Sequence, residues 1–178
     1  MSALDSTIAR GPQMAVRKLM TWLLVAVLAL VVAVFVAAQA GFLSGKVPTD
    51  LGVKDGRLKP PSRTENSVSS QASLYADHPM KAYAEIAPFK FAGEGRAAID
   101  RIRRIVETTQ GARVVRAEPE YLYAQFQTRW LKFVDDAEFF ADAGARVVHV
   151  RSASRIGRRD FGVNRARIEA IRARFASD

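Results

Sequence analysis

The chain has 178 residues, a net charge of +9 and an isoelectric point of about 10.3. That length suits one domain plus an extra segment, and the charge and hydrophobic content exclude global disorder. There is no cysteine, which excludes disulfides and thiolate chemistry without deciding the compartment.

The first element is an apolar run. Leu19 to Ala38 contains a single polar residue, Thr21, and a helix of that length crosses a hydrocarbon core of about 30 Å. Arg10, Arg17 and Lys18 precede it and no basic residue follows until Lys46. Cations retained on the cytoplasmic side place residues 1–18 inside and everything after residue 40 outside, in the periplasm, with Trp22 near the inner interface. Ala38-Gln39-Ala40 has the small-x-small form of a signal-peptidase site. The run is longer than the roughly 7–15 apolar residues of a signal peptide, which favours a retained anchor over residues 19–40. Both readings export the remainder.

Residues 41–80 scatter Gly, Pro, Ser, Asp and Asn without a helical or strand period, so they are expected to form an extended tether and loop. A domain over 81–178 follows. Ala98, Ile102, Ile105, Val106 and Thr109 recur at helical spacing from about Glu94, with Asp100–Arg104 and Arg103–Glu107 as supporting pairs and Gly111 as a left-handed C-cap. Residues 112–118, 121–130, 131–140 and 145–154 read as strands. In 121–130, Leu122, Ala124 and Phe126 alternate with a wetter face of Tyr121, Tyr123 and Gln125. A final helix is expected from Asn164 as N-cap, with Ile168, Ile171 and Phe175 inward and its arginines mostly solvated. The class expected is α+β: an antiparallel sheet of about four strands with helices on one face, behind one transmembrane helix.

Several chemistries can be weighed. A serine hydrolase built on His149 with Ser152 or Ser154 fails on parity, because odd and even residues of one strand face opposite ways, and no Gly-x-Ser-x-Gly elbow occurs. Asp135, Asp136 and Glu138 could hold a hard cation, but arginines among them point to ion pairing, so no metal and no cofactor are expected. A hairpin loop of even length sets Asp136 near His149 or Arg151, and Glu138 near Val147 or His149; an odd loop sets Asp135 there instead. Arg151, Arg155, Arg158 and Arg159 with the Ser152 and Ser154 hydroxyls and the helix start at Asn164 could bind an anion, or Arg151 and Arg155 could pair with Asp135, Asp136 and Asp160. The candidate ligand or ion-pair cluster is therefore Asp135, Asp136, Glu138, Arg151, Ser152, Ser154, Arg155, Asp160 and Asn164. Nucleic acid is a poor partner for an exported domain, while an anionic lipid surface is a good one.

The segments NSVSSQA (66–72), YLYAQFQTRWLKFVDDAEFF (121–140) and VRSASRIGRRDFGVNRARIEAIRARF (150–175) resemble the domain of unknown function 1499 family, over about residues 51–176. The resemblance implies an exported or membrane-tethered bacterial or plastid domain and no particular reaction. It also maps Asn66, Val68, Ser69, Ser70, Gly157, Gly162 and Arg167 onto the family's motifs. The family's two cysteines fall at Pro61 and Ser67, so a thiol-dependent activity does not transfer. The reading is thus a single-pass inner-membrane protein with a periplasmic binding or accessory module for an anionic ligand, lipid surface or protein partner. The alternative is an enzyme using Asp135, Asp136 or Asp160 beside Arg151 or Arg155.

Overall fold

The computed structural model describes residues 10–177; residues 1–9 of the expected N-terminal segment lie outside them. The apolar run forms helix α1 (Arg10–Gln39). From Gln13 to Val36 its side chains stand free of the rest of the chain, Leu19, Trp22, Leu24 and Leu30 being each about two-thirds exposed. Within it, Gln13–Gln39 is long and apolar enough to cross a membrane. Only its end docks: Ala38 is fully buried.

The domain is built on a six-stranded antiparallel sheet. The four expected strands are β3 (Ala112–Glu118), β4 (Tyr121–Gln127), β5 (Val134–Asp142) and β6 (Val147–Ser154). They form a meander whose spatial order follows the chain. Two short strands, β1 (Ser67–Ser69) and β2 (Phe89–Lys90), lie along the outer edge of β6. β1 comes from within the segment expected to be tether and loop, and so do the buried Leu58, Ser67, Val68, Gln71 and Ala72. A three-residue strand carries no readable period, which is why polar composition alone suggested a linker.

A short helix, α2 (Lys81–Ala84), leads into β2, and the two longer helices, α3 (Gly95–Glu107) and α4 (Val163–Ser177), cover one face of the sheet. The core there joins Ile99, Ile102, Ile105 and Val106 of α3 and Ile168, Ile171 and Phe175 of α4 to Leu122, Ala124, Phe126, Phe139 and Val150. Each of these side chains larger than alanine contributes about 1.5–3 kcal/mol by leaving water. The α3 stripe fits the expected one, but its ending differs. The C-cap is Thr108, and Gly111 (φ 77°) lies beyond it, in the turn into β3. Asp100 reaches back to Arg96 at 4.0 Å rather than forward to Arg104.

The second face of the sheet is not the wet one that alternation implied. Tyr121 and Tyr123 are buried there under Leu58, with Leu51, Val53 and Phe140 packed around them. A loop distant in sequence supplies this cover, so local period could not reveal it.

Candidate functional site

β5 places Asp135 and Asp136 on opposite sides of the sheet, because consecutive strand residues point opposite ways. The nine candidate residues consequently separate into two networks.

Asp135, Ser152, Ser154, Asp160 and Asn164 lie on the helix side. Arg167 of α4 pairs with Asp135 at 2.5 Å and donates to Asn164 Oδ1 at 2.8 Å, while its guanidinium lies 4.7 Å from the Phe126 ring centre. Ser152 Oγ also donates to Asn164 Oδ1. Asn164 Nδ2 donates to Ser154 Oγ, Asp160 Oδ2 and the Asn66 carbonyl, at 2.8–3.2 Å. Asn164 is therefore not the helix cap. It sits inside the first turn and ties α4 to the sheet, and Asp160 does the capping by accepting from the Gly162 and Asn164 amides at 3.0 and 2.9 Å. Burial works to raise the Asp160 pKa; the bonds from Asn164, Gly162 and the Tyr83 hydroxyl outweigh it and hold the carboxyl below its ordinary range.

Asp136, Glu138, Arg151 and Arg155 occupy the other side. Arg155 grips Asp136 with two parallel bonds, Nε–Oδ2 at 2.8 Å and Nη2–Oδ1 at 2.7 Å, and the Tyr123 hydroxyl donates to the same carboxylate. Both charged side chains are at most 5 % exposed. The hairpin loop has the even length that sets Glu138 against an odd residue, but that residue is Arg151, and Asp136 faces Ala153. The pairing is shifted by one pleat because the loop falls at 143–146, β5 running on to Asp142 and β6 starting only at Val147. Glu138 is fully buried. Its Oε1 accepts from the Tyr121 hydroxyl (2.8 Å) and the Gly52 amide (2.7 Å). Its Oε2 has no hydrogen-bond partner and lies 3.7 Å from Arg151 Nη1. Burial raises the Glu138 pKa above its ordinary value against the pull of Arg151, Gly52 and Tyr121. Arg151 spends its Nε on the Pro60 carbonyl at 3.1 Å.

Of the expected ion pairs, Asp136 with Arg155 forms, whereas Arg151 pairs with Glu138, and Asp135 with Arg167. Removing one member of such a buried pair costs about 3–5 kcal/mol, because the other charge is left buried without a partner. The hydroxyls of Ser152 and Ser154 do not converge with Arg151 and Arg155, since the sheet lies between them. The α4 arginines are not simply solvated either. Arg165 donates to the Tyr83 and Glu85 carbonyls, Arg172 to those of Ala87 and Pro88, and Arg174 to Ile105 O at the end of α3.

Two arrangements had no strong signal in the sequence. His149 does turn away from Ser152 and Ser154, but Ser70 comes beside it: the two are 3.3 Å apart, with Asp142 3.9 Å from the other ring nitrogen. Burial lowers the His149 pKa. The Ser70 oxygen accepts from the Val150 amide at 2.8 Å, so it works as a clasp between β1 and β6, and the Asp142 gap is too wide for a hydrogen bond. The second arrangement is an open groove of about 800 Å³ between β2, α3 and α4. Phe89, Phe91 and Phe175 form its apolar wall, and Lys90, Arg101, Arg104 and Arg172 its basic rim. The Arg101 guanidinium sits 4.7 Å from the Phe175 ring centre and its buried Nε has no hydrogen-bond partner. A faint signal exists: Arg101 has no acid three or four residues away on α3, so the helix cannot neutralise it.

Neither a curated protein nor a solved structure matches the chain. A family model described as "Protein of unknown function (DUF1499)" matches residues 57–175. That span takes in both charge networks, the covering loop from Arg57 and the groove, and the chain belongs to this family.

Proposed function

We propose that the chain is a single-pass membrane protein whose exported, periplasmic domain binds an amphipathic anion: a carboxylate or phosphate head on an apolar tail. The observation that carries this reading is the α3–α4 groove. Its volume falls within the roughly 300–1,000 Å³ range of ligand sites, and its two kinds of wall match the two ends of such a molecule. Arg101 and Arg104 have no carboxylate within ion-pair distance among the described residues, unlike the arginines of the two networks. The catalytic alternative has less support, since Asp135, Asp136 and Asp160 are each satisfied by protein donors and would have to give up folding energy to react.

A diazirine-bearing dodecanoate irradiated with the full chain in nanodiscs tests the reading. Adducts mapped by mass spectrometry should fall on the accessible lining, Phe91, Ala92 and Ala97. They should drop about tenfold in the Arg101→Ala/Arg104→Ala double variant, the worth of one charge-assisted hydrogen bond, while a neutral diazirine alcohol labels both proteins alike. Labelling confined to α1, or unchanged by the double substitution, sinks the proposal.

A further inference from the structure

The turn between β4 and β5, residues 128–133, does no work for either network or for the groove. It carries Arg129, Trp130, Leu131 and Lys132, and Trp130 is 63 % exposed. Two contacts fix its place relative to α1. Gln39, the last residue of α1, donates through Nε2 to the Trp130 carbonyl at 2.9 Å. The segment that leaves α1 then passes over the start of the loop following β6: a Cβ on Gly45 would lie 2.6 Å from the Arg155 Cβ. That loop leaves the sheet at the same end and bears two more exposed apolar residues, Ile156 and Phe161, the latter 93 % exposed with φ 53°. Phe42, just past α1, is 79 % exposed.

The lengths then decide the level at which these side chains sit. The 27 residues of Gln13–Gln39 rise roughly 40 Å, about the thickness of a bilayer including its headgroups. A helix that spans with this segment delivers Gln39 to the outer headgroup layer, and Trp130 with it. An indole prefers that layer because its ring is apolar and its N–H needs a polar partner. Arg129, whose guanidinium lies 5.0 Å from the Trp130 ring centre, and Lys132 would meet lipid phosphates there.

We infer that the β4–β5 turn is an interfacial anchor: Trp130 and Leu131 insert among the headgroups of the bilayer that α1 spans, flanked by Arg129 and Lys132, and seat the domain on the membrane. The inference rests on α1 being a retained span. Trp22 and Trp130 are the two tryptophans of the chain, so single-tryptophan variants report each level separately. The full chain is reconstituted in liposomes of phosphatidylcholine and phosphatidylglycerol that carry a brominated lipid. In Trp22→Phe, the remaining Trp130 should emit at shorter wavelength than in water and lose intensity, more to bromines near the glycerol than to bromines near the chain end. Trp130→Phe reports α1 through Trp22. Quenching of Trp22 with water-like, unquenched Trp130 overturns the anchor and leaves the span intact. Absence of quenching at both positions overturns the span itself. Trp130 quenching that ignores bromine depth also counts against an interfacial seat.

Discussion

Glu138 is a fully buried charge that is only half satisfied by hydrogen bonds. Its second oxygen is buried without a hydrogen bond, and burial holds its pKa above the ordinary glutamate value. A raised carboxyl pKa means that ionisation favours the unfolded chain. The stability contributed is full below the ordinary value and is lost as the pH rises through the folded one. Urea midpoints should show it: as the pH rises above the ordinary glutamate range, Glu138→Gln should gain steadily on the parent protein. A pH-independent difference would reject the assignment. His149, with its lowered pKa, acts in the opposite sense: its contribution is present above the ordinary histidine value and is lost as the pH falls through the folded one. At this scale the sequence was partly legible. Parity separated Arg151 from Ser152, but the partner of Glu138 depended on where the β5–β6 loop falls, and the role of Asn164 depended on a contact with Asn66, far from it along the chain.

Elements were more legible than contacts, because periodicity is local. α3, β3, β4, β5, β6 and α4 follow from apolar spacing, and β1 and β2 do not, being too short to show one. Turn glycines lie between these cases. Gly111 reads as a cap from its position, yet its left-handed backbone belongs to the α3–β3 turn, where an added Cβ would sit 2.5 Å from the Gln127 carbonyl oxygen. Gly93 is a matched control with φ 79° and nothing within 4 Å of such an atom. Gly93→Ala should cost about 1–2 kcal/mol for backbone strain alone. Gly111→Ala should cost distinctly more, because the carbonyl must move in a strand that pairs on both edges. Equal losses in chemical denaturation would mean that the close approach is relieved for free.

The whole molecule depends on a segment that looks dispensable. Residues 51–60 bury Leu58, donate the Gly52 amide to Glu138 and offer the Pro60 carbonyl to Arg151. A chain starting at Lys46 should unfold cooperatively without α1. One starting at Thr64 should lose about 3 kcal/mol or more, from the apolar cover and the bonds to a buried ion pair. Comparable urea midpoints for the two would show that the loop is ornamental. The adjacent acids of β5 have a further consequence, for strand alignment during folding. If β5 slid by a single residue against β6, Asp135 would turn towards Arg155, Asp136 would face the apolar helix side, and Phe139 would leave the core. Only one alignment satisfies a guanidinium above the sheet and another below it at the same step. The pair therefore proofreads strand registry from both sides, and substituting either acid should broaden the set of misaligned hairpins as well as weaken the native one.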